Sequence, residues 1–296
     1  MTMTSIWTQC QKNPDIYYAQ AFRRNIGLLS EAQQQALRRT TIAIAGVGGV
    51  GGFHLMTLLR MGVGRFHIAD MDQYDVPNLQ RQCGAFMHTL GQNKTGAMKK
   101  MALAVNPHAE ITTFPDGVNA DNLKAFLSGV DIVIDGLEFF AVDIRRDLFN
   151  AARKKGVHTI TAGPLAFGSA LLIFSPKGMG FDEYFDITAT SPEMDKIIAF
   201  AVGLAPAALH MPYIDLKTVD PRQRTGPALV SSCQLCASVA AVEVLKILFH
   251  PQKVRSVPHY SQWDLFGQRY RKGYLWKGNR HPWQRLKRWY LEKHFK

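Results

Sequence analysis

"TIAIAGVGGVGG", residues 41–52, begins as a short β-branched, apolar strand and runs directly into glycines. Within it, GVGGVG (46–51) is a G-x-G-x-x-G set between that strand and the helix suggested by "GGFHLMTLLRMG", which ends at Gly62 or Gly64. The position gives the pattern its physical meaning. Gly46 permits the tight turn, Gly48 lets a phosphate approach the backbone, and Gly51 lets helix and sheet pack closely. "RFHIAD" then reads as a second strand ending on Asp70, 19 residues beyond Gly51, where an acid can accept hydrogen bonds from ribose hydroxyls. Alone, this motif says NAD, FAD or ATP.

Outward from the motif, short apolar strands alternate with helices. Helix 93–105 is followed by strand 110–114, helix 120–128, strand 131–135, helix 141–155 and strand 157–161. Such alternation predicts an α/β fold, a doubly wound, mostly parallel Rossmann-like sheet with helices on both faces. Ligands on these sheets sit beyond the carboxyl ends of the strands, where Asp70 and Asp135 fall. From 167 the pattern changes to an additional strand, "GSALLIFSP", a long crossover segment, a helix over 228–249 and short strands around 254–276. Before the motif, residues 14–39 read as helix, with Ser30 as N-cap of "EAQQQALRR". The expected organisation is one domain over 1–296: N-terminal helices 14–39, nucleotide-binding core 40–175, crossover 176–227, helix and strands 228–266, and a basic aromatic segment 267–296.

Composition narrows the class. Four cysteines (Cys10, Cys83, Cys233, Cys236) are too few for a disulfide framework and fit a reducing, cytoplasmic setting. "MTMTSIWTQC" shows no secretory signal. The longest nearly uncharged apolar run, 197–211, is too short to span a bilayer and contains Pro206. Net charge is +12, but ten Lys or Arg against one acid place +9 of it in residues 267–296. The basicity is local.

The stretch "IADMDQYDVPNLQRQ" (68–82) decides among the nucleotides. A dinucleotide dehydrogenase needs nothing cationic just past its ribose acid, because the pyrophosphate sits on the helix N-terminus. Here Asn78, Arg81 and Gln82 follow Asp70, and Lys94 starts the next helix in "GQNKTGAMKK". Cations converging on one pocket suit a triphosphate whose charge grows at the α-phosphorus during attack. Asp72 and the acids after Asp135 are candidates to hold magnesium.

With "AGVGGVGG", "GVGRFHIADMDQYDVPNLQRQ", "GQNKTGAM" and "IVIDGLEFF" in view, the chain resembles the ThiF/MoeB adenylyltransferases, whose fold is shared with ubiquitin-activating enzymes. The resemblance is specific from about 22 to 175 and continues loosely through 228–249. It implies binding of ATP with Mg2+ and of a carboxylate, giving an acyl adenylate and pyrophosphate, and it implies a homodimer. Carried over by alignment, the turn Gly46, Gly48, Gly49 and Gly51 cradles ATP and Asp70 holds the ribose. Asn78, Arg81 and Lys94 contact phosphates, with Gln82 supporting them. The family's magnesium aspartate falls on Glu138, one methylene longer, with Asp135 or Asp72 sharing the role.

Three departures mark this chain. The family's R-[YF]-x-R near the N-terminus, whose first Arg reaches the neighbouring subunit's ATP site, reads "AFRRNIGLL" here, so Ala21 replaces the first position and Arg24 holds the second. Of the family's two zinc-binding C-x-x-C pairs only "CQLC" (233–236) is present, which reads as two packed thiols. No cysteine lies between 84 and 232, where ubiquitin-activating relatives carry a thioester cysteine. Substrates compatible with the resemblance are a carrier-protein C-terminus, a peptide, a small molecule or a modified nucleoside, with 181–225 shaping the pocket. Two other readings are a nicotinamide-dependent oxidoreductase and a nucleotide-binding scaffold without turnover. In "WKGNRHPWQRLKRWYLEKHFK" the aromatics are expected to pack on the domain and leave a solvated basic face; binding RNA or an acidic partner is the alternative.

Overall fold

The computed structural model describes residues 3–215 and 226–295. Eight strands form one sheet in the order β3-β2-β1-β4-β5-β6-β7-β8. Strands β1 (Thr41–Ala45), β2 (Arg65–Ala69), β3 (Glu110–Phe114), β4 (Ile132–Asp135) and β5 (His158–Leu165) pair in parallel. Strands β6 (Gly168–Phe174), β7 (His259–Asp264) and β8 (Arg269–Tyr274) extend the sheet antiparallel. The chain winds outward from β1 to β3 and then returns to β4 on the other side of β1. That reversal opens a crevice at the carboxyl ends of β1 and β4, the place such sheets use for ligands.

Alternate residues of each strand face opposite layers. Ile42 and Ile44 join Phe66, Ile68, Ile132, Ile134 and Ile160 under one helical layer. That layer comprises α3 (Glu31–Arg39), α4 (Gly51–Met61), α5 (Lys94–Val105) and α10 (Val230–Phe249), which contribute Leu37, Leu55, Leu58, Met98, Cys236 and Ala240. Ala43 and Ala45, with Val133, face α6 (Leu123–Phe126), α7 (Val142–Lys154), α8 (Phe181–Phe185) and α9 (Glu193–Leu204) through Phe126, Leu148, Phe149, Tyr184 and Phe200. Alanine on this side of β1 leaves room for those aromatic rings. α11 (Pro282–Phe295) packs outside α9. By length and composition α10 could cross a membrane. Its Cys/Ala/Val face is buried on the sheet, as in the core helix of a globular domain.

The predicted strands are all present, and β5 runs four residues beyond the predicted 157–161 because it pairs with β6 as a hairpin. Ser30 caps α3 through a reciprocal box with Gln33. Before that cap, α2 (Pro14–Ala21) stops at Phe22, and a turn carries the chain to Ser30. Helix 120–128 shortens to α6. The crossover is more ordered than its sequence suggests, since α8 and α9 both lie in it. Met3–Lys12 (α1) forms a helix that the sequence reading did not include. The portion of the predicted pocket segment at 216–225 lies outside the described residues.

The hinge of the arrangement is made of backbone. Gly46 has φ +84°, and a Cβ there would strike the Gly136 carbonyl just past β4, while one on Gly51 would strike the Gly46 carbonyl. Gly51→Ala is therefore expected to cost about 3 kcal/mol, because overpacking is met by backbone that cannot yield, and to lower the urea midpoint accordingly. His54 on α4 offers a second test. Both its ring nitrogens are buried without a hydrogen-bond partner among the described residues, and burial pushes its pKa from 6.5 down to about 3. Below about pH 6.5 the unfolded chain takes up a proton that the folded protein refuses. Stability attributable to His54 should fall by about 1.4 kcal/mol per pH unit toward pH 3. Denaturant titrations of His54→Leu should lack that component of the acid slope.

Candidate active site

The glycine turn and the end of β2 are tied together by one carboxylate. Asp70 Oδ2 accepts the Val47 N–H at 2.9 Å, and Oδ1 accepts the Asp72 N–H at 3.0 Å. The acid that would hold a ribose thus also fixes the first residues of the phosphate-facing turn. α4 begins at this turn, so its N-terminal end lies beside the same carboxylate. Burial raises the Asp70 pKa, and Lys94 opposes that rise.

Lys94 is nearly buried, its side chain 6% exposed. Its Nζ lies 2.8 Å from Asp72 Oδ2 and 4.0 Å from Asp70 Oδ1. The position follows from α5's start: Asn93 caps the helix by accepting from Thr95 and Gly96 N–H, and the Lys94 N–H donates to the Asp72 carbonyl at 3.0 Å. Arg81 sits at the other rim of the turn, its Nε 3.7 Å from where a Cβ on Gly49 would stand, with one guanidinium N–H donated to the Pro77 carbonyl at 3.2 Å. Asn78 closes the short 3-10 turn Val76–Asn78, its Oδ1 accepting the Asp75 N–H at 3.1 Å, so its amide NH2 remains the group with donors to offer.

Gln82 is 7% exposed, and its amide lies 3.6 Å from the Cβ position above Gly48. Its Oε1 is buried without a hydrogen-bond partner among the described residues. A buried polar atom in that state is costly and signals a missing partner. The Gln82 amide faces the space over Gly48, where a bound group with a hydroxyl or an acceptor would fit it. Gly46, Gly48, Gly49, Gly51, Asp70, Asp72, Asn78, Arg81, Gln82 and Lys94 therefore belong to one neighbourhood, formed by the β1–α4 turn, the end of β2 and the start of α5.

Asp135 stands at the end of β4 opposite Ala45, and Arg24 stands away from the turn. Asp135 is 3% exposed, with Oδ2 bound by Arg145 Nε at 2.8 Å and Oδ1 by the Leu137 N–H at 3.1 Å. Both oxygens are engaged within the protein, and Asp135 anchors the β4–α7 loop. Arg24 is exposed in the turn after α2. The next residue, Asn25, donates to the Met61 carbonyl at the far end of α4, so the chain's own Arg24 does not meet its own glycine turn. Glu138 lies in the β4–α7 loop and accepts the Phe140 N–H at 2.9 Å.

Arg145 is the residue that the sequence reading missed. Its guanidinium also donates to the Leu137, Glu138, Phe139 and Ala141 carbonyls and stacks 4.4 Å over the Phe200 ring. It sets the shape of the loop that carries Glu138. A signal was available: Val142, Leu148, Phe149 and Ala152 define the buried stripe of α7, and Arg145 falls on that stripe. The thiols, by contrast, are quiet. Cys233 lies against Gly49 and Cys83 against Gly52, and burial pushes them up to about 11 and about 12. Cys236 pairs with Ser169 Oγ at 3.1 Å.

The ThiF family model matches residues 22–281. The chain belongs to the ThiF family. A tRNA threonylcarbamoyladenosine dehydratase of Bacillus subtilis is 36% identical over 115 residues, covering 38% of this chain and 45% of the relative. A sulfur carrier protein adenylyltransferase of Thermus thermophilus is 29% identical over 163 residues, covering 55% of each. The chain spans about half the length of the curated relatives it matches. The crystal structure of the Escherichia coli tRNA N6-threonylcarbamoyladenosine dehydratase in complex with ATP aligns at a TM-score of 0.57 with 21% identity. That alignment covers 79% of this chain and 96% of the other, a likeness of fold.

Removing Arg145 strands a buried carboxylate. Arg145→Met should cost about 3–5 kcal/mol in equilibrium unfolding. Combining it with Asp135→Leu should recover a good part of that loss, because both charges are then gone; strict additivity would refute the pairing.

Proposed function

We propose that the chain is an ATP-dependent adenylyltransferase that activates a carboxylate as an acyl adenylate. What supports this reading is two cations beside one glycine turn: Arg81 next to Gly49, and Lys94 next to Asp70, the carboxylate that accepts the Val47 N–H. A carboxylate oxygen attacks the α-phosphorus, a new C–O–P linkage forms, the P–O bond to the β-phosphate breaks, and pyrophosphate departs with the electron pair. Charge rises on the non-bridging and leaving oxygens as this happens. Lys94 and Arg81, preorganised at the turn, stabilise that charge, and Lys94 does so from a site largely closed to water. Asn78 donates its amide protons to the phosphates, Gln82 supports them over Gly48, and Asp70 accepts from ribose hydroxyls. Magnesium, when bound with ATP, supplies neutralising charge on the phosphates, and Glu138 is the carboxylate that would hold it. Arg24 enters a nucleotide site only from a second copy, in keeping with a homodimer.

The names of the relatives support the same reading: one is an adenylyltransferase of a sulfur carrier protein, and others act on threonylcarbamoyladenosine in tRNA. The substrate of this chain is accordingly sought among carrier-protein C-termini, peptides, small acids and modified nucleosides.

The test is ATP–pyrophosphate exchange with magnesium across such carboxylates. Arg81→Ala is expected to lower exchange on the order of a hundredfold or more while the circular-dichroism spectrum is unchanged. Lys94→Ala should abolish it. Reduction of a nicotinamide cofactor by the purified protein, with exchange absent for every carboxylate, would sink the proposal.

A further inference from the structure

α11 is mounted on the domain by its polar side. Gln284, 1% exposed, donates to the Val202 carbonyl at 2.9 Å, and Lys287 donates to the Pro206 carbonyl at 2.6 Å. Arg288 reaches Asp186 Oδ2 at 3.3 Å. These ties have a clear cause: α9 ends at Leu204, the carbonyls around its last turn lack helical partners, and donors from α11 satisfy them. Nearby, the fully buried Asn279 secures the segment to the Phe185 and Ala199 carbonyls at 3.0 and 2.7 Å. The expectation that the aromatics would pack inward is thus reversed. Trp283, Leu286, Trp289 and Tyr290 are 68, 52, 51 and 56% exposed. At about 100° per residue they occupy roughly one third of the helix circumference. A helix whose final surroundings are water does the opposite and buries such a stripe.

Cations surround the stripe. Arg280, Arg285 and Lys293 are exposed beside it, and the 267–296 segment carries ten Lys or Arg against Glu292 alone. The partner must therefore offer negative charge outside and apolar depth beneath. We infer that the outward face of α11 docks on an anionic phospholipid surface, lying in the headgroup layer with Trp283, Leu286, Trp289 and Tyr290 inserted and the cations at phosphate level. Indole and phenol rings favour that depth, being apolar with one polar atom. Two details favour lipid over nucleic acid. Lys293 Nζ lies 4.1 Å over the Trp289 ring and Lys277 Nζ 4.3 Å over Trp276, so on these two rings one face is already taken by an ammonium and not open to a stacking base. Leu286, central in the stripe, has no ring with which to stack. A second copy is disfavoured because the two basic segments would face each other.

The experiment is co-sedimentation of the full chain with vesicles of phosphatidylcholine alone and of phosphatidylcholine with about one third phosphatidylglycerol, at low and high salt. Pelleting with the anionic vesicles, weakened by salt, is expected, with little pelleting on phosphatidylcholine alone. The double variant Trp283→Ala, Trp289→Ala should lower the partition coefficient by about tenfold per ring. Its thermal melt should match the parent, since both rings are exposed. Leu286→Ser should weaken pelleting in the same direction. Absence of pelleting at low salt overturns the inference, as does pelleting that the double variant leaves unchanged. So do two substitute results in the absence of vesicle binding: single-stranded RNA binding that depends on Trp283 and Trp289, or self-association in sedimentation velocity that the double variant removes. Nucleotide chemistry is not read in any arm, so the outcome is independent of the proposed adenylation.

Discussion

Backbone meets backbone, with no room for a side chain, where β1 and β4 end and α4 begins. Gly46, Gly51 and Gly136 come together there, and any Cβ among them would overlap a carbonyl or an α-carbon. Everything functional in the core hangs on that contact. It brings the N-terminus of α4 to the reversal point of the sheet and leaves the space over Gly48 bordered by a polar amide rather than by packed methyl groups. The layers above and below can vary in composition, as the alanines and isoleucines on the two faces of β1 show. The crossing itself cannot.

Around this neutral junction the protein places charges out of water, and each has a partner. Arg145 and Asp135 form a pair that is 2% exposed on both sides, and the remaining guanidinium protons go to loop carbonyls. A buried pair of this kind adds little net stability over an apolar substitute, but it imposes one shape on the segment it organises. Lys94 is handled differently. Of its two acids, Asp70 is almost buried and Asp72 is 63% exposed. The ammonium is hydrogen-bonded to Asp72 at 2.8 Å and lies 4.0 Å from Asp70, so this nearly buried cation is paired chiefly through a carboxylate that water still reaches.

Much of this was legible in the residues. The βαβ alternation, the glycine turn, the acid at the end of β2 and the cations after it are local signals, with helix and strand periods that a single chain segment expresses. What escaped depends on partners distant in sequence. The turn between α2 and α3 is pinned where Asn25 donates to the Met61 carbonyl at the end of α4, a partner that no pattern within 14–39 announces. In the sequence nothing next to Asp135 announces that Arg145, ten residues on, reaches back to it around the loop. The periodicity of α11 gives two faces without saying which is inward, and unmet carbonyls at the end of α9 decide that. Placement of Arg24 away from its own turn likewise follows from tertiary packing, while the RxxR-like pattern speaks only of residue types.

The double duty of Asp70 has a further consequence. One carboxylate grips the Val47 amide of the turn, and in the proposed reaction it is also the acceptor for sugar hydroxyls. Any change in its hydrogen bonding at the sugar end therefore shifts electron density and position at the phosphate end. Sugar and phosphate recognition should consequently be thermodynamically coupled, and trimming hydroxyls from the nucleotide should weaken the grip on groups that the deletion never touched.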